Sequence, residues 1–289
     1  VRSAPSDDTG LEDNAKLADG RPLGVLEEEE QFGQYAVRIY RDPDTWQSAL
    51  EVLRNGRRVY GRTGGSFRIG VEIGVGDSTN PLTTMGRDIT GDGIPNLVAT
   101  EWTGGAHCCL VHYIFEIGDE FRLLAVIDAR DSEITRFEDL NGDSSLEIFL
   151  YDWTFAYWKY SFAYSPGATV ILQYRHGAYR PAADLMYKPP PSAQELRKEA
   201  TLVRGHERWT DGWPPSSMWS YMLDLMYSGH ADLALHFFDM AWPPEVPGKA
   251  DFLHDFETQL ANSPYWPEIQ ALSVHSGRAG PREHTSSTP

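Results

Sequence analysis

The sequence predicts an α+β protein, an antiparallel β domain followed by a C-terminal α-helical domain. Three observations carry that expectation. Between Tyr35 and Tyr174 short apolar runs alternate with period two and are broken by Gly, Asn and Asp, the pattern of half-buried strands joined by tight turns. The run Lys188-Pro189-Pro190-Pro191 then holds the chain extended and forbids a helix before Ser192. Beyond it, apolar residues recur at helical spacing in segments separated by Trp213-Pro214-Pro215, Ser228-Gly229-His230 and Trp242-Pro243-Pro244. The expected division is an acidic, largely disordered arm over 1–31, a β domain over 32–187, a helical domain over 188–275 and a disordered tail over 276–289.

Residues 1–30 hold Asp7, Asp8, Glu12, Asp13 and Asp19 and end in Glu27-Glu28-Glu29-Glu30, with only scattered apolar positions. Charges packed so densely bury too little surface to offset chain entropy, hence the disordered arm. Strands are expected over 35–40, 49–53, 59–60, 66–73, 96–102, 107–117, 121–127, 147–153, 158–164 and 168–174. The pair Asn55-Gly56 between alternating runs signals a type I′ hairpin. Ser192-Ala193-Gln194-Glu195 has the spacing of a capping box, and helices are expected over 193–204, 217–227, 231–241 and 249–261.

At 289 residues the chain is long enough to bury a substantial core. With 25 Lys+Arg against 42 Asp+Glu its net charge of −17 repels phosphate backbones, so nucleic acid is not an expected partner. No run approaches the roughly 20 apolar residues of a membrane helix. The chain begins at Val1 with neither an initiator Met nor a hydrophobic leader, which reads as a mature form cut from a precursor and points to a periplasmic or secreted location.

The densest pattern is Asp88-Ile89-Thr90-Gly91-Asp92-Gly93-Ile94-Pro95-Asn96, which runs into Leu97-Val98-Ala99-Thr100. A variant returns as Asp139-Leu140-Asn141-Gly142-Asp143-Ser144-Ser145-Leu146-Glu147, ahead of Ile148-Phe149-Leu150-Tyr151. Oxygen-bearing side chains at the first, third, fifth and ninth positions of a tight loop, with a carbonyl at the seventh, suit one hard cation such as Ca2+. An EF-hand is excluded, because the twelfth positions are Ala99 and Leu150 and strands follow where a helix belongs. The recurrence, about fifty residues apart, has the length of a four-stranded blade, with 35–73 as a degenerate third unit. Two or three such blades do not close a propeller, which leaves a sandwich, an open sheet or a partial propeller.

These loops resemble the FG-GAP and VCBS-type repeats of integrin-like propellers. The resemblance implies calcium at the edge of β blades, held by Asp88, Thr90, Asp92 and Asn96 in the first loop and by Asp139, Asn141, Asp143 and Glu147 in the second. The first loop departs from the pattern in having two carboxylates, which weakens binding; the second has Ser144 where Gly eases the sharp turn.

After the first loop's strand comes Glu101-Trp102-Thr103-Gly104-Gly105-Ala106-His107-Cys108-Cys109, with both cysteines of the chain. Together with Ser263-Pro264-Tyr265-Trp266 it is similar to an uncharacterised family of exported bacterial proteins, a resemblance that implies an architecture but no activity. Three readings of His107, Cys108 and Cys109 stand open: ordinary buried thiols on a strand, a vicinal disulfide in an oxidising compartment, or a copper(I) or zinc site needing a further ligand such as His112.

Motifs of catalysis are missing from the sequence. His206-Glu207-Arg208-Trp209-Thr210 lacks the second His of a zinc-protease helix, and there is no Gly-x-Ser-x-Gly elbow, Walker loop or dinucleotide glycine fingerprint. Trp102, Trp153, Tyr157 and Trp158 suit either a sugar-binding face or the core. Gly229, Ala234, Phe238 and Ala241 have the spacing of one tetratricopeptide-like helix pair, with Trp219, Leu223, Leu225 and Phe237 expected in a helical cap. The expected function is a non-enzymatic, calcium-stabilised extracytoplasmic binding or accessory module with a protein or glycan partner. The alternatives are a soft-metal or redox protein built on His107, Cys108 and Cys109, and a hydrolase on a propeller-like scaffold.

Overall fold

The computed structural model describes residues 24–71, 85–105, 109–130, 135–206, 208–209 and 214–276, the last five as backbone. It opens on a four-stranded antiparallel meander of β1 (Val25–Phe32), β2 (Tyr35–Arg41), β3 (Ser48–Arg54) and β4 (Arg57–Gly64). Asn55 and Gly56 link β3 to β4 with φ of +51° and +77°, the left-handed pair that a type I′ turn requires. Residues 25–31 were expected in the disordered arm and instead belong to β1, because the glutamates find counter-charges on β2. Glu27 meets Arg41 at 2.8 Å and Glu29 meets Arg38 at 3.5 Å, while the outer edge of the strand stays in water. The rest of the arm, residues 1–23, lies outside the described residues.

A second meander joins β5 (Ser66–Ile69), β6 (Asn96–Trp102), β7 (Leu110–Ile117) and β8 (Phe121–Arg130), and a third joins β9 (Arg136–Glu138), β10 (Glu147–Asp152), β11 (Ala168–Arg175) and β12 (Ala178–Pro181). Neighbours in each sheet are consecutive in the chain, so every connection is a local one, and the described residues form no closed propeller. Each acidic loop leads into the second strand of its sheet. Alternation sets the faces: Val37, Ile39, Leu50 and Val52 of the first sheet share one buried cluster with Leu97, Ala99, Tyr113 and Phe115 of the second.

A buried carboxylate fastens those two sheets. Glu101 accepts from Tyr113 Oη at 2.6 Å, from Gly65 N at 2.9 Å and from Arg62 Nε at 3.3 Å. A Cβ on Gly64 would lie 2.0 Å from Glu101 Oε1, so the close approach needs glycine there. The strand expected over 158–164 does not form. Tyr157 and Lys159 take φ of +57° and +60°, which breaks the extended chain and turns Trp158 onto Trp219 at 5.3 Å.

The chain divides into two compact units, residues 1–151 with 172–180 and residues 152–171 with 181–289. Residues 152–171, expected in the β domain, thus belong with the helices. Those are α1 (Ala183–Met186), α2 (Ala193–Arg204), α3 (Ser216–Tyr227), α4 (Ala231–Ala241), α5 (Lys249–Leu260) and α6 (Trp266–Ser276), of which α1 and α6 were not expected. None is long and apolar enough to cross a membrane among the described residues.

Helix α4 packs on both α2 and α3, with Ala234 and Ala241 fully buried so that the backbones approach and Phe238 fills the space beside them. Trp219, Leu223, Leu225 and Phe237 are all buried, as a helical cap requires. The predicted capping box is present at α2: Ser192 Oγ accepts from Glu195 N at 3.2 Å, and Glu195 Oε2 accepts from Ser192 N at 2.7 Å. Ser192→Ala is expected to lower stability by about 1 kcal/mol in urea denaturation, and a loss near zero would mean that the exposed helix end is capped by water alone.

Candidate functional site

The two acidic loops share the same amide-to-side-chain hydrogen bonds at their first, fifth and ninth positions. At the first position, Oδ1 of Asp88 and of Asp139 accepts from the fourth residue, Gly91 N at 2.7 Å and Gly142 N at 2.6 Å. Oδ2 accepts from the sixth, Gly93 N at 2.8 Å and Ser144 N at 3.1 Å. Asp92 and Asp143, at the fifth position, accept from the seventh-position amides of Ile94 at 3.0 Å and Ser145 at 2.9 Å. The ninth-position oxygens of Asn96 and Glu147 accept from Ile89 N and Leu140 N, each at 2.8 Å. Fourth and sixth residues are left-handed in both, and Ser144 adopts φ +73° where Gly93 has +85°, a conformation that strains a residue with a Cβ.

The third-position residues close each ring. Thr90 Oγ1 lies 3.3 Å from both Asp88 Oδ1 and Asn96 Oδ1, and Asn141 Nδ2 donates to Asp143 Oδ2 at 2.9 Å and to Glu147 Oε1 at 3.2 Å. The loops also touch one another: Leu146 N donates to Ile89 O at 2.8 Å, and a Cβ on Gly91 would come within 2.9 Å of Ser145 Cβ.

Asp88, Asp92, Asp139, Asp143 and Glu147 have no ion-pair partner among the described residues. Glu147 is fully buried, and burial first, then the charges of Asp143 and Asp139, push its carboxyl above the usual range. Asp143 is pulled the other way by the hydroxyl and amide of Ser145. Five of the eight side chains are carboxylates and none carries sulfur or imidazole, which fits a hard dication such as Ca2+ and not a soft metal, while Asn141 turns its Nδ2 toward Asp143 and Glu147. Among the described residues no three His, Cys, Asp or Glu side chains converge in a ready-made metal cluster, since the carboxylates are turned onto the loops' own amides.

Two further side chains reach this region from β11 and β12. Gln173 Nε2 donates to Asp143 Oδ2 at 3.3 Å, while its Oε1 is buried without a hydrogen-bond donor among the described residues. Tyr179 is 2 % exposed and its hydroxyl has no hydrogen-bond partner among the described residues; burial, Tyr174 and the carboxylates of Asp88, Asp92 and Glu147 raise it above the ordinary phenol range. Neither carries a sequence signal that ties it to loops so far upstream, because the relation arises from strand order.

Beside the first loop, Gly93, Ile94 and Pro95 form one wall of an open cleft of about 620 Å3. Its other walls are the turn at Gly33 and Gln34 and the hairpin from Glu116 to Arg122, where Arg122 holds Glu116 in a two-pronged ion pair at 2.9 and 2.6 Å. A smaller, apolar recess of about 260 Å3 lies between Trp46 and Trp102, whose rings meet edge to face at 6.1 Å over Gly65, Gly104 and Gly105. Trp46 is 76 % exposed and was not singled out by the sequence. Of the other aromatic candidates, Tyr157 is exposed, and Trp158 packs among Phe155, Phe252 and Trp219.

His107 and Cys108 lie outside the described residues. Cys109 is half-buried and disulfide-bonded, and its carbonyl accepts from Thr103 N at 3.0 Å. His112 is fully buried, with Nδ1 2.9 Å from Thr100 Oγ1. Compared with known proteins, the chain matches no family model, and no curated protein or solved structure is significantly similar to it.

Proposed function

We propose that the protein is a non-enzymatic, calcium-stabilised binding or accessory module that works outside the cytoplasm on a protein or glycan partner. The observation that carries this reading is the repetition of hydrogen bonds at equivalent positions of two abutting loops, whose five carboxylates have no ion-pair partner among the described residues. Asp88, Thr90, Asp92 and Asn96 would hold one ion and Asp139, Asn141, Asp143 and Glu147 the other. Bound calcium would neutralise the clustered carboxylates and tie each loop to the strand behind it. The chain's own part is to pre-form the turns, through left-handed fourth and sixth residues and first-position carboxylates anchored on amides.

Partner binding belongs in the same unit. The wall formed by Gly93, Ile94 and Pro95 makes the first loop part of the larger cleft, so a rigid loop gives a rigid wall. The Trp46 and Trp102 recess offers aromatic faces of the kind that receive a sugar ring or an apolar side chain. The blade-like reading of the four-stranded meanders, of which the second and third each have an acidic loop before their second strand, is consistent with this function. The soft-metal alternative is less well supported, because a disulfide-bonded Cys109 presents no thiolate.

Calcium at a hundred times its Kd is expected to add about 2.7 kcal/mol per site, or roughly 5–10 °C in Tm for a protein of this size. Differential scanning calorimetry in calcium and in EGTA, with metal analysis of the purified protein, checks this. Identical melting in both and no bound metal would remove the calcium role.

A further inference from the structure

We propose that the recess between Trp46 and Trp102 is a glycan subsite that seats one neutral pyranose ring, with an indole face against the C–H face of the sugar. This inference rests on the binding-module reading above and narrows its partner to a glycan, and it does not depend on calcium. Trp46 is 76 % exposed although it sits on an ordered turn, where Asp42 N donates to Gln47 O at 3.0 Å and Asp44 N to Asp42 Oδ1 at 2.8 Å. A turn that holds so large an apolar ring in water presents it as a contact residue. Trp102 ends β6, and its ring meets Trp46 at 6.1 Å and 74°, so the two indoles form a corner and not a stack. Behind the corner Glu101 accepts from Gly65 N and Tyr113 Oη, which fixes the seam on which both walls stand.

Size and charge select the occupant. At about 260 Å3 the recess falls short of the roughly 300–1,000 Å3 of pockets that take drug-sized ligands, and it has room for a single ring. No residue that lines it is ionisable, in a chain of net charge −17. Charged groups beside the lining are compensated: Arg41 reaches Ser66 Oγ at 3.5 Å but pairs with Glu27 at 2.8 Å, and Glu101 behind Gly65 takes Arg62 at 3.3 Å. A charged ligand finds no free counter-charge there, so the occupant is neutral. The rim then favours a sugar over an alkyl side chain. Among the described residues the Ser66 hydroxyl proton has no acceptor, and Thr103 Oγ1 donates to Cys109 O at 3.3 Å with its lone pairs unused. Gly104 and Gly105, at φ of +95° and +109°, leave the backbone beside them bare. Sugar hydroxyls both donate and accept, and so satisfy such a rim while C–H groups lie on the indole; an alkyl chain leaves it unmet.

Native gel electrophoresis of the full chain through polysaccharides tests the inference, because a net charge of −17 carries the protein toward the anode and binding slows it. The gels contain xyloglucan, galactomannan or laminarin, which are neutral, or polygalacturonate, which is anionic. Wild type is expected to be slowed by at least one neutral polysaccharide. Trp46→Ala and Trp46→Leu are expected to bind it about 10-fold more weakly, and Trp46→Tyr, which keeps a ring face, within about 3-fold of wild type. All three variants should melt as wild type does, since the side chain stands in water. Wild type slowed by no polysaccharide overturns the inference together with the glycan half of the reading above. Slowing that survives Trp46→Ala or Trp46→Leu undiminished overturns the inference alone, and so does slowing by polygalacturonate only.

Discussion

Asp152→Ala is expected to lower the stability of the helical unit by about 3–5 kcal/mol, the range for stripping the charged partner from a buried polar network. Oδ2 of Asp152 accepts from Tyr227 Oη at 2.6 Å and from Ser263 Oγ, and Oδ1 accepts from Thr154 N at 2.9 Å and Thr154 Oγ1 at 2.5 Å. Ser263 Oγ in turn accepts from Tyr265 N at 3.1 Å and Trp266 N at 3.0 Å, so the same hydroxyl starts α6 and donates its one proton to Asp152. All four residues are buried. Alanine would take the shared acceptor from three buried hydroxyls and an amide. Tyr227→Phe removes a single charged hydrogen bond and should cost less, about 1.5–3 kcal/mol. Urea denaturation of the two variants provides the check, and a loss below about 1 kcal/mol for Asp152→Ala would show that the network is bystander packing.

The second large effect is acid sensitivity centred on His112. The hydroxyl proton of Thr100 goes to Gly70 O at 2.6 Å, so His112 Nδ1, 2.9 Å away, must be the donor in its bond to Thr100 Oγ1. Nε2 is then a buried lone pair with no partner among the described residues, and the ring lies edge to face with Phe137 at 5.8 Å. Burial, with the positive charge of Arg68, lowers the imidazole from 6.5 to about 4. Between these values the unfolded chain takes up a proton that the folded one refuses. The stability is therefore fully present above pH 6.5 and is lost as pH falls toward 4, by about 3 kcal/mol over the interval. His112→Phe keeps the ring volume and removes the titration. Urea denaturation at pH 7 and pH 4.5 should show a smaller loss in the variant than in wild type, and an equal loss in both would refute the assignment.

The loops were legible in the sequence because their chemistry is local. Side chains at fixed spacing bond to amides a few residues on, and nothing distant is needed to place Asp88 on Gly91 or Asp139 on Gly142. The capping box at Ser192 and the turn at Asn55-Gly56 were legible for the same reason. Helices 193–204 and 231–241 were foreseen to the residue, since apolar spacing and flanking Pro and Gly bound them on both sides. The short strands β9 and β12 were not, because three or four residues carry too little periodicity to register.

Pairing across long separations was hidden. The acidic run over Glu27-Glu28-Glu29-Glu30 reads as a solvated tail until Arg38 and Arg41 are seen on the neighbouring strand. An aromatic-rich alternation over 158–164 reads as a strand until left-handed residues at 157 and 159 turn Trp158 into the helical core. By itself the sequence determined the order of sheets before helices, the two oxygen-rich turns and most helix ends, because each depends on contacts within a few residues. The tertiary structure alone decided that the loops abut, that Gln173 and Tyr179 stand beside them, and that Asp152 and His112 are buried. Those relations depend on which strands and helices become neighbours, and burial exists only after they do.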